Sequence, residues 1–274
     1  MTTTTQFDAK RFIKFLKELG ININTHTKAR GNQGIYLRGR IDISKNLDDE
    51  RKLQVLAHEF AHYIHSKIEP DLNRSKGSLA KLFCTQDTAI IEKELKKLTL
   101  AIDQNAGLRG LKVQKLELIH KIETQEELIR HAYPNFKRSE RFAEFERYIK
   151  KSNARFLLKH DNIKLITPFL GKEELLTLDN VEKDFPDMPK EFCAYLRLNS
   201  LRRKRTKVSA RIRKYKKYYE SPGELFARLI ESFFINPQTS KILAPNARSK
   251  FFELLNSGYY FELKELFDIA ELYK

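Results

Sequence analysis

Cysteine is scarce in this 274-residue chain: only Cys84 and Cys193 are present, in no metal-ligand spacing. That argues against a disulfide framework and fits a reducing compartment. No apolar run approaches the roughly 20 residues that span a bilayer. The opening residues Met1-Thr2-Thr3-Thr4-Thr5-Gln6 lack the charged-then-apolar pattern of a secretory signal. These absences predict a soluble cytoplasmic protein without a membrane partner. No internal repeat stands out. Wholesale disorder is also unexpected, because hydrophobic residues make up 41% of the chain and include 19 phenylalanines. The length suffices for one large domain, or for one domain carrying an insertion.

Five residues carry the sharpest chemical signal: His58-Glu59-Phe60-Ala61-His62, an H-E-x-x-H arrangement. The flanking pattern is helical. Asp48, Asp49 and Glu50 open the segment and Lys67 closes it, which suits a helix dipole. Leu53, Leu56, Phe60 and Ile64 form an apolar face at helical spacing, and neither glycine nor proline interrupts them. Residues four apart on a helix rise about 6 Å and share a face, so both imidazoles can reach one Zn²⁺. Glu59 lies beside that point and off its axis, where a general base is needed. His65 shares the face but sits about 10.5 Å along the axis from His58, too far for the same ion. The motif points to a zinc hydrolase, against the plainer reading of a histidine-bearing core helix.

A third ligand must come from elsewhere, and the segment from Ser221 to Phe234 is the best candidate. It opens with serine at the cap, proline at the first helical position and Glu224 at the third. Glu224, Ala227, Arg228 and Glu231 form one stripe, while Leu225, Phe226, Leu229, Phe233 and Phe234 are set to be buried. A small residue at Ala227 permits close approach to the histidine helix. Glu224 could instead complete a capping box, which would leave Glu231 as ligand. Chemistry alone divides the two almost evenly, with Glu224 slightly favoured by its position at the helix mouth.

The stretch from Val55 to His65 resembles the active-site helix of the ImmA/IrrE family of metallopeptidases. Glu224 to Phe234, followed by Ile235-Asn236-Pro237, is similar to that family's second motif, in which a ligand glutamate precedes small and apolar residues. Lys217 to Arg228 also resembles zincin-like domains in polyvalent proteins of phages and conjugative elements. In both cases Glu224 is the matching position. The resemblance implies that His58, His62 and Glu224 hold zinc, that Glu59 is the catalytic base, and that the substrate is a protein such as a transcriptional repressor. The likeness covers roughly residues 33–70 and 215–260. His62 and Glu224 stand much farther apart than in compact members of that family.

Patterning predicts a predominantly helical α+β fold with a zincin-like core. Phe7 to Leu19 reads as an amphipathic helix ended by Gly20. Residues 21–24, 34–38 and 40–44 read as short strands of a small sheet, whose edge can hold an extended peptide. Residues 71–200 are expected to be a helical insertion, with helices over Ala89–Leu100, Val113–Ala132 and Ser139–Leu158. Another helix is expected at Glu191–Leu198. The core is then assigned to residues 1–70 and 201–274, with closing helices near Ala247–Leu255 and Glu262–Tyr273.

Charge is abundant and one-sided. Lysine and arginine number 52 against 36 acidic residues, a net charge of +16. Residues 202–217 concentrate ten cations, with Tyr215, Tyr218 and Tyr219 interleaved or adjacent. Such a stretch can meet nucleic-acid phosphates and stack on bases, attract an acidic protein, or simply be solvated. The leading expectation is a zinc metallo-endopeptidase of the gluzincin kind. The alternative is a nucleic-acid-associated protein of a phage or mobile element with a structural or inactive zincin site.

Overall fold

The computed structural model describes residues 7–27, 33–71, 77–137, 143–166 and 173–272, the side chains of Ile166 and Glu174 excepted. The chain divides into two compact units: unit 1 comprises Met1–Gly107 and Tyr215–Lys274, and unit 2 comprises Leu108–Lys214. The divisions fall later than 71 and 200, the bounds expected of the insertion.

Unit 1 begins with α1 (Ala9–Glu18), β1 (Asn22–Thr27), β2 (Gly34–Leu37), β3 (Arg40–Ser44), α2 (Asp49–Ile68), α3 (Leu79–Leu82) and α4 (Ala89–Ile102). Asp8 and Asp48 cap α1 and α2 by accepting from the backbone N–H of Arg11 and Arg51. The sheet order is β1-β3-β2, with β1 parallel and β2 antiparallel to the central β3. Ile41 and Ile43 of β3 face the core, whereas β2 is an edge strand packed beside α2.

Unit 2 contains α5 (Arg109–Ala132), α6 (Ala143–Lys150), β4 (Asn162–Ile166), β5 (Glu173–Thr177), α7 (Val181–Asp184) and most of α8 (Lys190–Tyr219). It has its own core, built around Ile122, Ile129, Phe145, Phe192 and Tyr195. Its two-stranded antiparallel sheet, β4 with β5, was not expected from the sequence. The helix foreseen over Ser139–Leu158 is a shorter α6 followed by a 3₁₀ turn at Asn153–Leu158, where Ser152 accepts from Ala154 N–H. Residues 139–142 of that expectation lie outside the described residues. The short helix foreseen at Glu191–Leu198 runs on to Tyr219, because nothing between Lys190 and Tyr219 is glycine or proline.

Unit 1 closes with α9 (Pro222–Ile235), α10 (Pro237–Leu243), α11 (Pro245–Asn256) and α12 (Phe261–Ile269). Proline at the start of α9, α10 and α11 pre-sets φ where the N–H has no helical partner anyway. Helix α4 belongs here and not to the insertion, because Ile91, Leu95 and Leu98 join the unit 1 core and α4 packs on α9, α10 and α11. Buried Glu94 accepts from the Asn246 amide and Ala247 N–H, so α4 caps the start of α11. Phe226, Phe233, Phe251, Tyr260 and Phe267 pack their rings together on the side of α9 away from the histidines. No helix among the described residues is long and apolar enough to cross a membrane.

Part of the basic run is consumed structurally. Arg202 pairs with buried Glu126, while Arg203 and Lys204 pair with Asp161. Burial alone would raise the Asp161 carboxyl, but hydrogen bonds from Lys204, Ser200 and Arg203 hold it down at about 2. A depressed carboxylate stabilises the fold above its unfolded pKa and loses that contribution as pH falls through the folded value. Asp161→Asn should therefore destabilise the protein at pH 5, by an amount that shrinks as pH is lowered from about 4 toward 2. Paired urea titrations of variant and parent across that range check this.

Candidate metal centre

Helix α2 presents His58 and His62 one turn apart, and α9 lies against it. The contact is tight at the start of α9. A Cβ added to Gly223 would stand 2.6 Å from His65 Nδ1, so glycine lets the backbone seat on the histidine face. That seating delivers the next side chain, Glu224, to the two imidazoles. His62 Nε2 lies 3.2 Å from His58 Nε2 and 3.2 Å from Glu224 Oε1, and His58 Nε2 lies 3.5 Å from Glu224 Oε2. Among the described residues these three form the one His/Cys/Asp/Glu group spaced to hold a metal ion.

The donor set fits a divalent cation on three counts. Ligand atoms 2.0–2.1 Å from one ion at tetrahedral angles stand about 3.3 Å from each other, close to the 3.2 Å that separates His62 Nε2 from His58 Nε2 and from Glu224 Oε1. Glu224 Oε2 is buried without a hydrogen-bond partner, a costly state unless something else satisfies it. Finally, Glu224 and its neighbours Glu59, Glu231 and Asp103 face, among the described residues, only Arg51 and Arg228 as guanidinium counter-charges. With neutral imidazoles, that leaves two negative charges, which a divalent cation would balance.

Without a cation the groups lean on one another. Burial disfavours a charged His58, but the Glu224 and Glu231 carboxylates outweigh it and raise the imidazole to about 9. Burial would raise Glu224, yet His58 and His62 hold its carboxyl well below the usual range. Glu231 is likewise lowered: His58, Arg228 and Arg51 overcome the cost of burial.

Glu231, the rival third ligand, approaches the other side of His58. Its Oε2 is 3.1 Å from Nδ1, the nitrogen turned away from Glu224. A carboxylate on Nδ1–H selects the tautomer that leaves Nε2 a free lone pair. Arg228 donates to Glu231 Oε2 at 2.6 Å and to Asp103 Oδ2 at 2.8 Å. His65 takes no part in the cluster, since its Nε2 faces Glu69 Oε1 at 3.2 Å.

Glu59 is buried beside the histidines but outside the three-residue group. Its Oε2 accepts from the backbone N–H of Tyr36 at 2.7 Å, which ties it to edge strand β2. Gly34 leaves room for it: a Cβ there would stand 2.9 Å from Glu59 Oε1 and would collide with the Val55 side chain. Burial raises the Glu59 carboxyl above its ordinary value, against the opposing pull of His58, His62 and the Tyr36 amide. The Tyr218 hydroxyl is also raised, first by burial and then by the Glu224 carboxylate next to it. Tyr219 is raised by burial and by Asp103. Sequence reasoning missed Asp103 and the bond from the Tyr36 amide to Glu59, since an aspartate closing a helix and a single strand amide carry no motif.

A two-histidine, one-carboxylate cluster on facing helices, with His58 and Glu224 buried and His62 half-buried, defines a candidate divalent-metal centre of the H-E-x-x-H class. Residues 16–94 match the family model Peptidase_M78, described as an IrrE N-terminal-like domain, so this part of the chain is similar to the ImmA/IrrE-like metallopeptidases. The matched span includes α2 with His58, Glu59 and His62 and ends before α9, so Glu224 rests on geometry. No curated protein and no solved structure matches the chain.

Glu224→Gln is expected to abolish metal retention after dialysis. Glu231→Gln should keep the metal and weaken its affinity roughly ten- to hundred-fold. Elemental analysis and chelator competition on both variants check the assignment; the opposite pattern would exchange the two roles.

Proposed function

We propose that this protein is a zinc-dependent endopeptidase that hydrolyses a peptide bond of a protein substrate. One observation carries the reading: His58, His62 and Glu224 converge at ligand spacing beside a separate, buried carboxylate, Glu59. The family match supports peptidase chemistry at the family level. Imidazole and carboxylate donors suit zinc, and three protein ligands are the usual number where zinc is catalytic. A zinc ion held by these residues supplies Lewis acidity, which lowers the pKa of water and polarises a carbonyl.

Glu59 accepts a proton from the attacking water and delivers it to the amine nitrogen as the C–N bond breaks. Its raised carboxyl brings it nearer the basicity that such shuttling needs at neutral pH. The Tyr36 amide fixes Oε2 and so orients the carboxylate. Edge strand β2 offers its backbone to an extended peptide beside this base.

Three side chains could supply a hydrogen bond to the developing oxyanion: Tyr218, Tyr219 and Arg228. Arg228 is committed through both terminal nitrogens to Glu231 and Asp103, and Tyr219 neighbours Asp103. Tyr218 neighbours Glu224 and feels the charge of Glu59. A tyrosine hydroxyl keeps its proton at neutral pH, and Tyr218 is the one of the three raised by both Glu224 and Glu59, so Tyr218 takes the donor role.

Glu59→Gln should leave metal content intact and remove peptide cleavage, measured on a peptide library with the zinc-loaded protein. Cleavage at the parental rate would remove Glu59 from the chemistry.

A second reading, contact with nucleic acid, is favoured by one observation. Arg211, Arg213, Lys214, Lys216 and Lys217 all lie exposed along α8. That reading predicts oligonucleotide binding whose affinity falls steeply with salt and drops when Arg211, Arg213 and Lys214 are neutralised, as read by fluorescence anisotropy.

A further inference from the structure

The polar network around His58 extends beyond the groups that touch it. Glu231 has both oxygens engaged: Oε2 by His58 Nδ1 and Arg228, and Oε1 by Arg51 Nη1 at 3.2 Å. Arg228 is buried and reaches back to Asp103, the residue that ends α4. Asp103 is itself held. Its Oδ1 accepts from Asn105 N–H at 2.9 Å, and its own N–H donates to Thr99 O. A continuous chain of hydrogen bonds thus runs from the turn after α4 to the far nitrogen of a metal-binding imidazole.

We propose that Arg228 and Asp103 are positioning residues of the metal centre, acting through Glu231 to fix the tautomer and orientation of His58. The proposal rests on the reading of His58, His62 and Glu224 as metal ligands. A glutamate side chain has several rotamers, and only its partners keep one of them populated. Arg228 supplies that restraint with two terminal nitrogens of a rigid fork, one on Glu231 and one on Asp103. Asp103 has a second effect. A buried guanidinium needs counter-charge, and Glu224 already contributes to the field on Arg228. Held by Asp103 and Glu231, Arg228 has its charge compensated. Released from Asp103, it would turn to Glu224 for compensation and oppose a divalent cation there.

The test uses the full-length protein and four variants: Asp103→Leu, Asp103→Glu, Arg228→Met and Arg228→Lys. Zinc affinity is measured by chelator competition, and the visible absorption of the Co²⁺-loaded protein reports ligand geometry. The melting temperature of the metal-free protein reports the fold. Asp103→Leu and Arg228→Met should weaken zinc binding roughly ten- to hundred-fold and shift the Co²⁺ bands. Asp103→Glu, which keeps the charge, should recover much of the affinity. Arg228→Lys should recover little, since an ammonium lacks the fork. Lowered metal-free stability with parental zinc affinity and Co²⁺ bands would make the chain a structural brace and overturn the proposal. A parental protein that takes up neither metal would sink the metal centre itself, which is a separate failure.

Discussion

Everything chemical in unit 1 depends on how closely α9 can approach α2. The two helices come from segments far apart in the chain, and only backbone without a side chain fits at the point where Gly223 meets the His65 ring. That one missing Cβ sets the depth at which Glu224 enters. A shift of about 1 Å along this contact would take a carboxylate oxygen out of ligand range, since zinc–ligand distances vary by only a few tenths of an ångström. The phenylalanine cluster on the opposite side of α9 presses the helix into that seat.

Electrostatics then explain why so many ionisable groups tolerate burial together. Glu224, Glu231 and Arg228 are each nearly inaccessible to water, and each would be expensive alone. Their arrangement alternates sign from Asp103 to Arg228 to Glu231 to the imidazole. The cluster as a whole still carries excess negative charge. Glu59 is held apart from this alternation by a strand amide, so it keeps a distinct acid–base character a short distance from the histidines.

Much of this was legible in the residues. The H-E-x-x-H helix, its acidic start, the small sheet before it and the opening of α9 all follow from local signals: caps, spacing and punctuation by glycine and proline. The choice between Glu224 and Glu231 was not legible, because both sit on one stripe of α9. Their roles separate only when His58 is seen to offer a different nitrogen to each. Helix α4 looked like part of the insertion since its apolar stripe is generic, and only the partners of Ile91, Leu95 and Leu98 show where it belongs. The second half of α8 lacks an apolar stripe, so amphipathicity could not reveal it as helix. Strands β4 and β5 make a lone hairpin whose register is set by packing within unit 2.

The place where the chain departs for unit 2 and returns has its own consequence. Ala106, just before the departure, lines a small cavity together with Lys216 and Tyr219, just after the return. The two ends of the detour are therefore neighbours within unit 1, and topologically the whole of unit 2 occupies what could have been a short loop. This accounts for the long sequence distance between the histidines and Glu224. Both ends of that detour therefore lie within a few residues of Asp103 and of the Tyr218–Tyr219 pair, the groups that neighbour Arg228 and Glu224.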